Sequence, residues 1–553
     1  MKRIILLFCF PLVLHSQQFA DIVFTNGKIW TVDANKPEAE AVAVVDGKIV
    51  AVGSAKEINR YIGKKTRTVD LHRKRMLPGF IDNHTHFMSG GFQLQSIDLR
   101  YAKDEKQFSE IIRKRAEMKP GKWITGGDWD HDLWKSGKLP TKEMIDSFTQ
   151  QTPVFVNRYD GHMALANSYV LKLAGITKQT PDPPGGTIVR DSVTGEPTGV
   201  LKDEAMSSIW GFIPEPSDDD MLNAARLALG EAKKYGLTSI QDMAYNFGVR
   251  DINTYSELNR RGELTARMYC RSYISTWKSL AYAGVQAGFG DNMITLGSLK
   301  GFADGSLGSS TALFFDKFLN EDTHGLPSDV LQDGRLEQWM TSADSARLQL
   351  CIHAIGDSAN SLILDIFERI TKKNPAWDRR FRIEHAQHIS PQDFQRFRDL
   401  QVIASVQPYH AIDDGRWAVK RIGDKRCRTS YAFRTFLDNN VKMCFGSDWT
   451  VAPINPLLGI YAAVTRRTTD GANPDGWYPE QKISVKEAIE CYTINNAYAA
   501  FQENEKGSIS AGKLADFVVL NDDILSINPI NIETATVAMT VLGGKIIYQS
   551  DSK

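Results

Sequence analysis

His84 and His86 stand one residue apart at the end of an apolar run, Leu77-Pro78-Gly79-Phe80-Ile81-Asp82-Asn83-His84-Thr85-His86. On a strand, residues i and i+2 point the same way, so imidazoles at this spacing can reach one metal ion from a strand exit. The pair alone is a weak signal, because two histidines in any chain can fall at this spacing and be solvated in a loop. Three later apolar runs also end in a candidate ligand: Leu348 to His353, Phe381 to His385, and Val441 to Asp448. Two more imidazoles and a carboxylate would converge on His84 and His86 if these strands belonged to one parallel barrel. Nitrogen and carboxylate donors without sulfur favour zinc, with manganese, iron or nickel as alternatives.

Such convergence needs strand-then-helix alternation with right-handed crossovers. Candidate strands are Met76 to Ile81, Leu237 to Gln241, Ala266 to Cys270, Thr295 to Phe302, Leu348 to His353, Phe381 to His385, Val402 to Val406 and Val441 to Phe445. That is the count of a (β/α)8 barrel. Met221 to Tyr235 and Ser358 to Lys372 show helical spacing of apolar residues. A barrel of this kind takes about 250 residues, so the span from Met76 to Asn504 must hold an insertion, placed after the first strand. That insertion contains Trp129 and Trp134, Asp160-Gly161-His162, and a hairpin pattern from Gly185 to Leu201.

Outside the barrel, short β-branched runs are broken by Asn26-Gly27 and Asp46-Gly47, and the same phrase returns at Gly543-Gly544 before Lys545-Ile546-Ile547-Tyr548. Asn-Gly and Asp-Gly are the strongest short-range hairpin signals, and one small β domain assembled from both chain ends is the economical reading. The expected organisation is a leader over 1–17, a composite β-sandwich from 18–75 and 505–553, an α/β TIM barrel over 76–504, and within it an insertion over 99–217 that covers the active site.

The leader reading rests on Met1-Lys2-Arg3 followed by an apolar run to Leu14, shorter than the roughly 18 residues needed to span a membrane. It predicts export, to a periplasm or beyond, with no membrane association after its removal. Lysine plus arginine equals aspartate plus glutamate at 66 each, so no overall field favours nucleic acid. The expected partner is a small-molecule substrate, with a homodimer left open. Beyond the leader the cysteines are Cys270, Cys351, Cys427, Cys444 and Cys491. Cys351 and Cys444 lie inside apolar runs and are read as buried thiols.

The motifs PGFIDNHTHF, LKGFADGSLGSSTA, CIHAIGD, RIEHAQ, GSDWTV and GSISAGKLADFVVL occur in this order. With them the chain resembles the amidohydrolase superfamily, within it the family-3 amidohydrolases that include N-substituted formamide deformylases. The resemblance implies metal ligands at His84, His86, Lys300, His353, His385 and Asp448, for one or two zinc ions. In two-metal members the lysine matching Lys300 carries a carbamate derived from carbon dioxide and bridges the ions. Asp448 is then the catalytic residue, the general base for a metal-activated water that hydrolyses an amide-type C–N bond, N-formyl or N-acyl. His162 and Asp304 match family motifs and are candidate substrate contacts. Trp129 either lines an apolar pocket or packs the insertion's own core. Lys513 and Asp516 are read as turn and surface residues, and His410 and His324 have no assigned role.

Two other readings stay open. Ring deamination on the same fold is disfavoured because His353 is followed by Ala354-Ile355-Gly356-Asp357, without the glutamate that mononuclear deaminases of the superfamily place there. A catalytically silent relative that binds small molecules or proteins would tolerate loss of Asp448.

Overall fold

The computed structural model describes residues 19–131, 134–158, 163–183, 186–244 and 249–550. The expected leader and His162 lie outside them. The chain divides into two compact units: Met1–Thr85, Leu229–Val249 and Arg261–Lys553 form one, and His86–Ala228 with Arg250–Arg260 the other.

The first unit contains a ring of parallel strands: β1 (Phe80–Thr85), β2 (Leu237–Asp242), β3 (Arg267–Tyr273), β4 (Ile294–Phe302), β5 (Gln349–Ala354), β6 (Arg382–His385), β7 (Ile403–Val406) and β8 (Met443–Phe445). Each pairs with the next in chain order. Between the ends of the series, Asp448 N–H donates to the His84 carbonyl at 2.7 Å and Thr85 bridges Trp449. Helices pack outside by amphipathic spacing. Asp357–Lys373, which follows β5, buries Ala359, Ile363, Leu364, Phe367 and Ile370, one stripe at helical period. Its acidic first turn and its Lys372 and Lys373 complement the helix dipole.

The first barrel strand lies later in the chain than its hydrophobic pattern predicts. Arg75–Pro78 belongs to another sheet, where it pairs with Lys28–Trp30 and Phe517–Leu520, and β1 begins only at Phe80. Pro78 lacks an N–H, and Gly79 lets the chain change sheets at close quarters: a Cβ there would lie 2.3 Å from Thr238 Oγ1 on β2.

That other sheet is half of a β-sandwich built from both chain ends. Its six strands run in the order Lys545–Gln549, Val537–Leu542, Phe517–Leu520, Arg75–Pro78, Lys28–Trp30, Glu38–Ala39. The facing four-stranded sheet runs Lys48–Gly53, Ala41–Val45, Ile22–Thr25, Arg67–Asp70. Phe24, Ile29, Val42, Met76, Phe517 and Val541 share its core. Phe24 and Phe517 meet edge to face at 5.6 Å, and each such buried side chain contributes about 1.5–3 kcal/mol. Asp46-Gly47 and Gly543-Gly544 form the expected tight hairpins, with all four residues at positive φ. Asn26-Gly27 does not. It passes the chain from one sheet to the other, and Asn26 is held by a side-chain bond to Asp70 at 2.8 Å.

The second unit carries a six-stranded sheet in the order Gly186–Arg190, Pro197–Asp203, Met163–Ala166, Val154–Arg158, Ile124–Trp129, Ile97–Asp98. It has its own core around Leu99, Phe108, Ile112, Trp129 and Val156. The unit is larger than the expected 99–217 segment, because helices on both flanks belong to it.

Asp516 is not the surface residue its turn-like context suggests. It is buried and accepts Arg267 Nε at 2.6 Å and Nη2 at 2.8 Å, joining the sandwich to β3. The Asp516→Ala variant leaves the buried Arg267 cation unpaired and is expected to lower unfolding free energy by about 3–5 kcal/mol. A shift below about 0.5 kcal/mol in urea unfolding would contradict this role.

Candidate metal centre

Asp448, at the exit of β8, places Oδ1 3.4 Å from His84 Nε2 and Oδ2 3.8 Å from His410 Nε2. Two groups of potential donors share it among the described residues. His84, His86 and Asp448 form one, and His385, His410 and Asp448 the other, with one donor atom per residue mutually within 4.8 Å in each. Lys300 is buried on β4, with Nζ 3.4 Å from His84 Nε2. His353 lies beside His385, ring centroids 4.5 Å apart, and falls outside both groups.

The ring hydrogen bonds decide which nitrogen of each imidazole is basic. His84 Nδ1–H donates to Glu384 Oε2 at 2.6 Å and His385 Nδ1–H to Gln407 Oε1 at 2.8 Å, so Nε2 is the basic atom in both. His353 Nε2–H donates to the Gly305 carbonyl at 3.0 Å, which makes Nδ1 its basic atom. This is the arrangement a metal-binding imidazole requires of its outer partners.

Burial, reinforced by the nearby Lys300 cation, pushes His84 down to about 3 and His353 to about 4. Burial and the neighbouring imidazoles hold His385 well below the ordinary value. All three are therefore neutral near pH 7 and need lose no proton to bind an ion. Burial also lowers Lys300 to about 8. Buried neutral imidazoles beside a carboxylate fit a divalent cation.

Glu384 supports this set from inside the barrel. Burial alone would raise its pKa, but Arg382, Arg271 and His84 hold it well below the ordinary carboxylate value. Its Oε1 lies 2.9 Å from Arg382 and 3.6 Å from Arg271, and Ser405 Oγ donates to its Oε2 at 2.5 Å. Asp82 makes a second tether, accepting the His84 N–H at 3.0 Å and both the N–H and Oγ–H of Ser447 at 3.0 and 2.5 Å. It joins the β1 exit to the β8 exit, and burial pushes its carboxyl up to about 7. The backbone at His385, Ala386 and Asp448 is left-handed, with φ of 73°, 41° and 58°. Such strain in non-glycine residues persists where surrounding contacts over-determine it.

The candidate substrate contacts within the described residues are both engaged in the fold. Asp304 accepts backbone N–H groups from Leu313, Ile355 and Gly356 at 2.8 to 3.0 Å, which ties the β4 and β5 exits together. Trp129 is fully buried in the core of the second unit, and its Nε1–H donates to the Val156 carbonyl at 2.8 Å. His410, without an assigned role in the sequence reading, is brought to the site by the short helix Pro408–Asp414 after β7.

A family model described as the amidohydrolase family matches residues 67–548. The chain belongs to the amidohydrolase family. This amidohydrolase is 39% identical to Protein LONG AFTER FAR-RED 3 of Arabidopsis thaliana, an alignment covering 96% of this chain and 92% of the relative. It is 26% identical to an N-substituted formamide deformylase of Arthrobacter pascens, over 96% and 99% of the two chains. Among solved structures, an uncharacterized metal-dependent hydrolase from Pyrococcus horikoshii superposes with a TM-score of 0.77 at 27% identity, covering 92% of this chain and 99% of that one. The five remaining cysteines are all buried free thiols.

Two measurements check the electrostatics of the site. In the metal-free protein, nitrogen NMR is expected to show neutral rings for His84, His353 and His385 at about pH 5.5, below the ordinary imidazole value near 6.5. Protonated rings there would contradict the burial argument. The Glu384→Gln variant should lose about 3–5 kcal/mol of stability and bind zinc roughly 10–100-fold more weakly, measured by unfolding and by chelator competition.

Proposed function

We propose that this amidohydrolase hydrolyses an amide-type C–N bond, N-formyl or N-acyl, in a small molecule. The observation that carries the reading is the Asp448 carboxylate lying between the Nε2 atoms of His84 and His410 at a barrel exit. These residues would hold a divalent ion, with zinc favoured by the nitrogen and oxygen donors, and when bound it would supply a water of pKa about 7 and polarisation of the scissile carbonyl. His84, His86 and Asp448 would hold one ion, and His385, with His353 beside it, would offer donors to a second. Asp448 takes the proton of the attacking water and returns it to the leaving nitrogen as the C–N bond breaks. Products are a carboxylate, formate for a formamide, and a free amine.

Lys300 fits a carbamate role. Its depressed pKa leaves a useful fraction of neutral amine, which adds to carbon dioxide with formation of an N–C bond and loss of a proton. The Phe302 ring lies with its centroid 6.0 Å from that of Tyr273 and 5.2 Å from that of His353, and this aromatic cluster beside the site supports an aromatic N-substituent. The name of the Arthrobacter relative supports a formamide as the first substrate to try. The basic head and apolar run of 1–17 support export.

Purified protein incubated with aryl formamides and N-acyl amines is expected to release amine and acid in equal amounts. Chelation should abolish the reaction and zinc restore it, and Asp448→Asn should lower kcat by about 10²–10⁴-fold. Undiminished turnover in Asp448→Asn would sink the mechanism. For the carbamate, elemental analysis should find about two zinc ions in the wild type and one or fewer in Lys300→Ala. Unchanged zinc content in the variant would remove Lys300 from the site.

A further inference from the structure

The family resemblance names His353 and His385 among the metal ligands, yet the three-donor group that this structure assembles around His385 contains His410 and not His353. His410 Nε2 is buried and has no hydrogen-bond partner among the described residues, although only 13% of the side chain is exposed. An unsatisfied buried ring nitrogen is costly unless something meets it. The His410 ring lies nearly parallel to that of His385, 11° apart in plane with centroids at 6.4 Å. Its Nε2 faces Asp448 Oδ2, while Oδ1 of the same carboxylate faces His84. Asp448 thus offers one oxygen to each donor group.

The signal in the sequence is faint. His410 follows the β7 exit by four residues, Gln407-Pro408-Tyr409-His410. Pro408 opens the helix that carries it, and Gln407, just before, orients His385. One short segment therefore sets both imidazoles of the group.

We propose that His410 is a metal ligand, joining His385 and Asp448 to hold the second divalent cation. This inference rests on the metal-dependent reading of the site and adds to it a donor from the β7 exit. Because Asp448 also belongs to the other donor group, His410 is the residue through which the second position can be tested separately.

The test uses metal-free full-length protein titrated with Co²⁺, followed by visible absorption, and with Zn²⁺, followed by calorimetry. Wild type, His410→Gln, His410→Asn and His353→Gln are compared. Two binding classes are expected in the wild type. In His410→Gln the weaker class should disappear or weaken by about tenfold or more, with a changed cobalt spectrum for the second equivalent and the tighter class retained. Equal melting temperatures of the metal-free proteins verify folding, and if His410→Gln melts early, His410→Asn is read in its place. Two unchanged classes in the folded His410 variant overturn the proposal, as does a single class in the wild type. A wild type that takes up no metal overturns the metal-dependent reading as well, so the two failures are distinguishable.

Discussion

Glu384 carries its negative charge inside a closed barrel, where burial disfavours any ion, and it remains ionised because Arg382, Arg271 and the His84 ring surround it. That compensation needs most of the ring at once. Arg271 comes from β3, Arg382 from β6 and Ser405 from β7, and the arginines also bond the Asn83 carbonyl on β1 and Gln241 on β2. Barrel interiors are usually filled by layers of branched aliphatic side chains. Here one layer is ionic, and its charge pairing exists only when these strands are in register. The tautomer of His84 follows directly, since the carboxylate that pairs with the arginines also fixes which ring nitrogen carries the proton. Closure of the barrel and preparation of the ligand are one event.

The strand exits were legible because residue types able to ligate a metal stand at the ends of apolar runs. His84, His353, His385 and Asp448 interrupt such runs abruptly, and the strands they terminate are those observed, apart from the shift of the first past Gly79. The supporting layer was harder to read. Arg382 and Glu384 alternate with Ile383 and His385, and Asp82 alternates with His84, so a period of two was present. In a strand buried on both faces that period reads as noise until the neighbours across the barrel are known. His410 gave less still, because a helix of one or two turns after a strand leaves no spacing from which to infer direction. Asn26-Gly27 shows the reverse error. Its local chemistry fits a hairpin, but pairing of Ile22–Thr25 with Arg67–Asp70 sends the chain elsewhere.

The left-handed residues at the β6 and β8 exits fit the same picture. A non-glycine residue at positive φ costs of order 1–3 kcal/mol, and His385, Ala386 and Asp448 all adopt it. At His385 and Asp448 the backbone turns while the side chain must still face its partners. Glycine would ease the turn and forfeit the donor. The cost is borne where the hydrogen bonds from Asp448 N–H to the His84 carbonyl and from His385 to Gln407 hold the geometry.

The sandwich, finally, imposes an order in time. Arg75–Pro78 pairs with Phe517–Leu520, about 440 residues further along the chain. At ribosomal speeds of 5–20 residues per second, the early strands wait roughly 20–90 s for their partner to be synthesised. Through that interval the edge of Arg75–Pro78 and the core face of Phe24, Val42 and Val44 have no permanent cover, and an open apolar edge is a template for wrong pairing. The barrel strands that follow Pro78 emerge within the same interval. The sandwich is therefore the last element to become whole, and a nascent chain must be kept from its neighbours until residues 517–549 arrive.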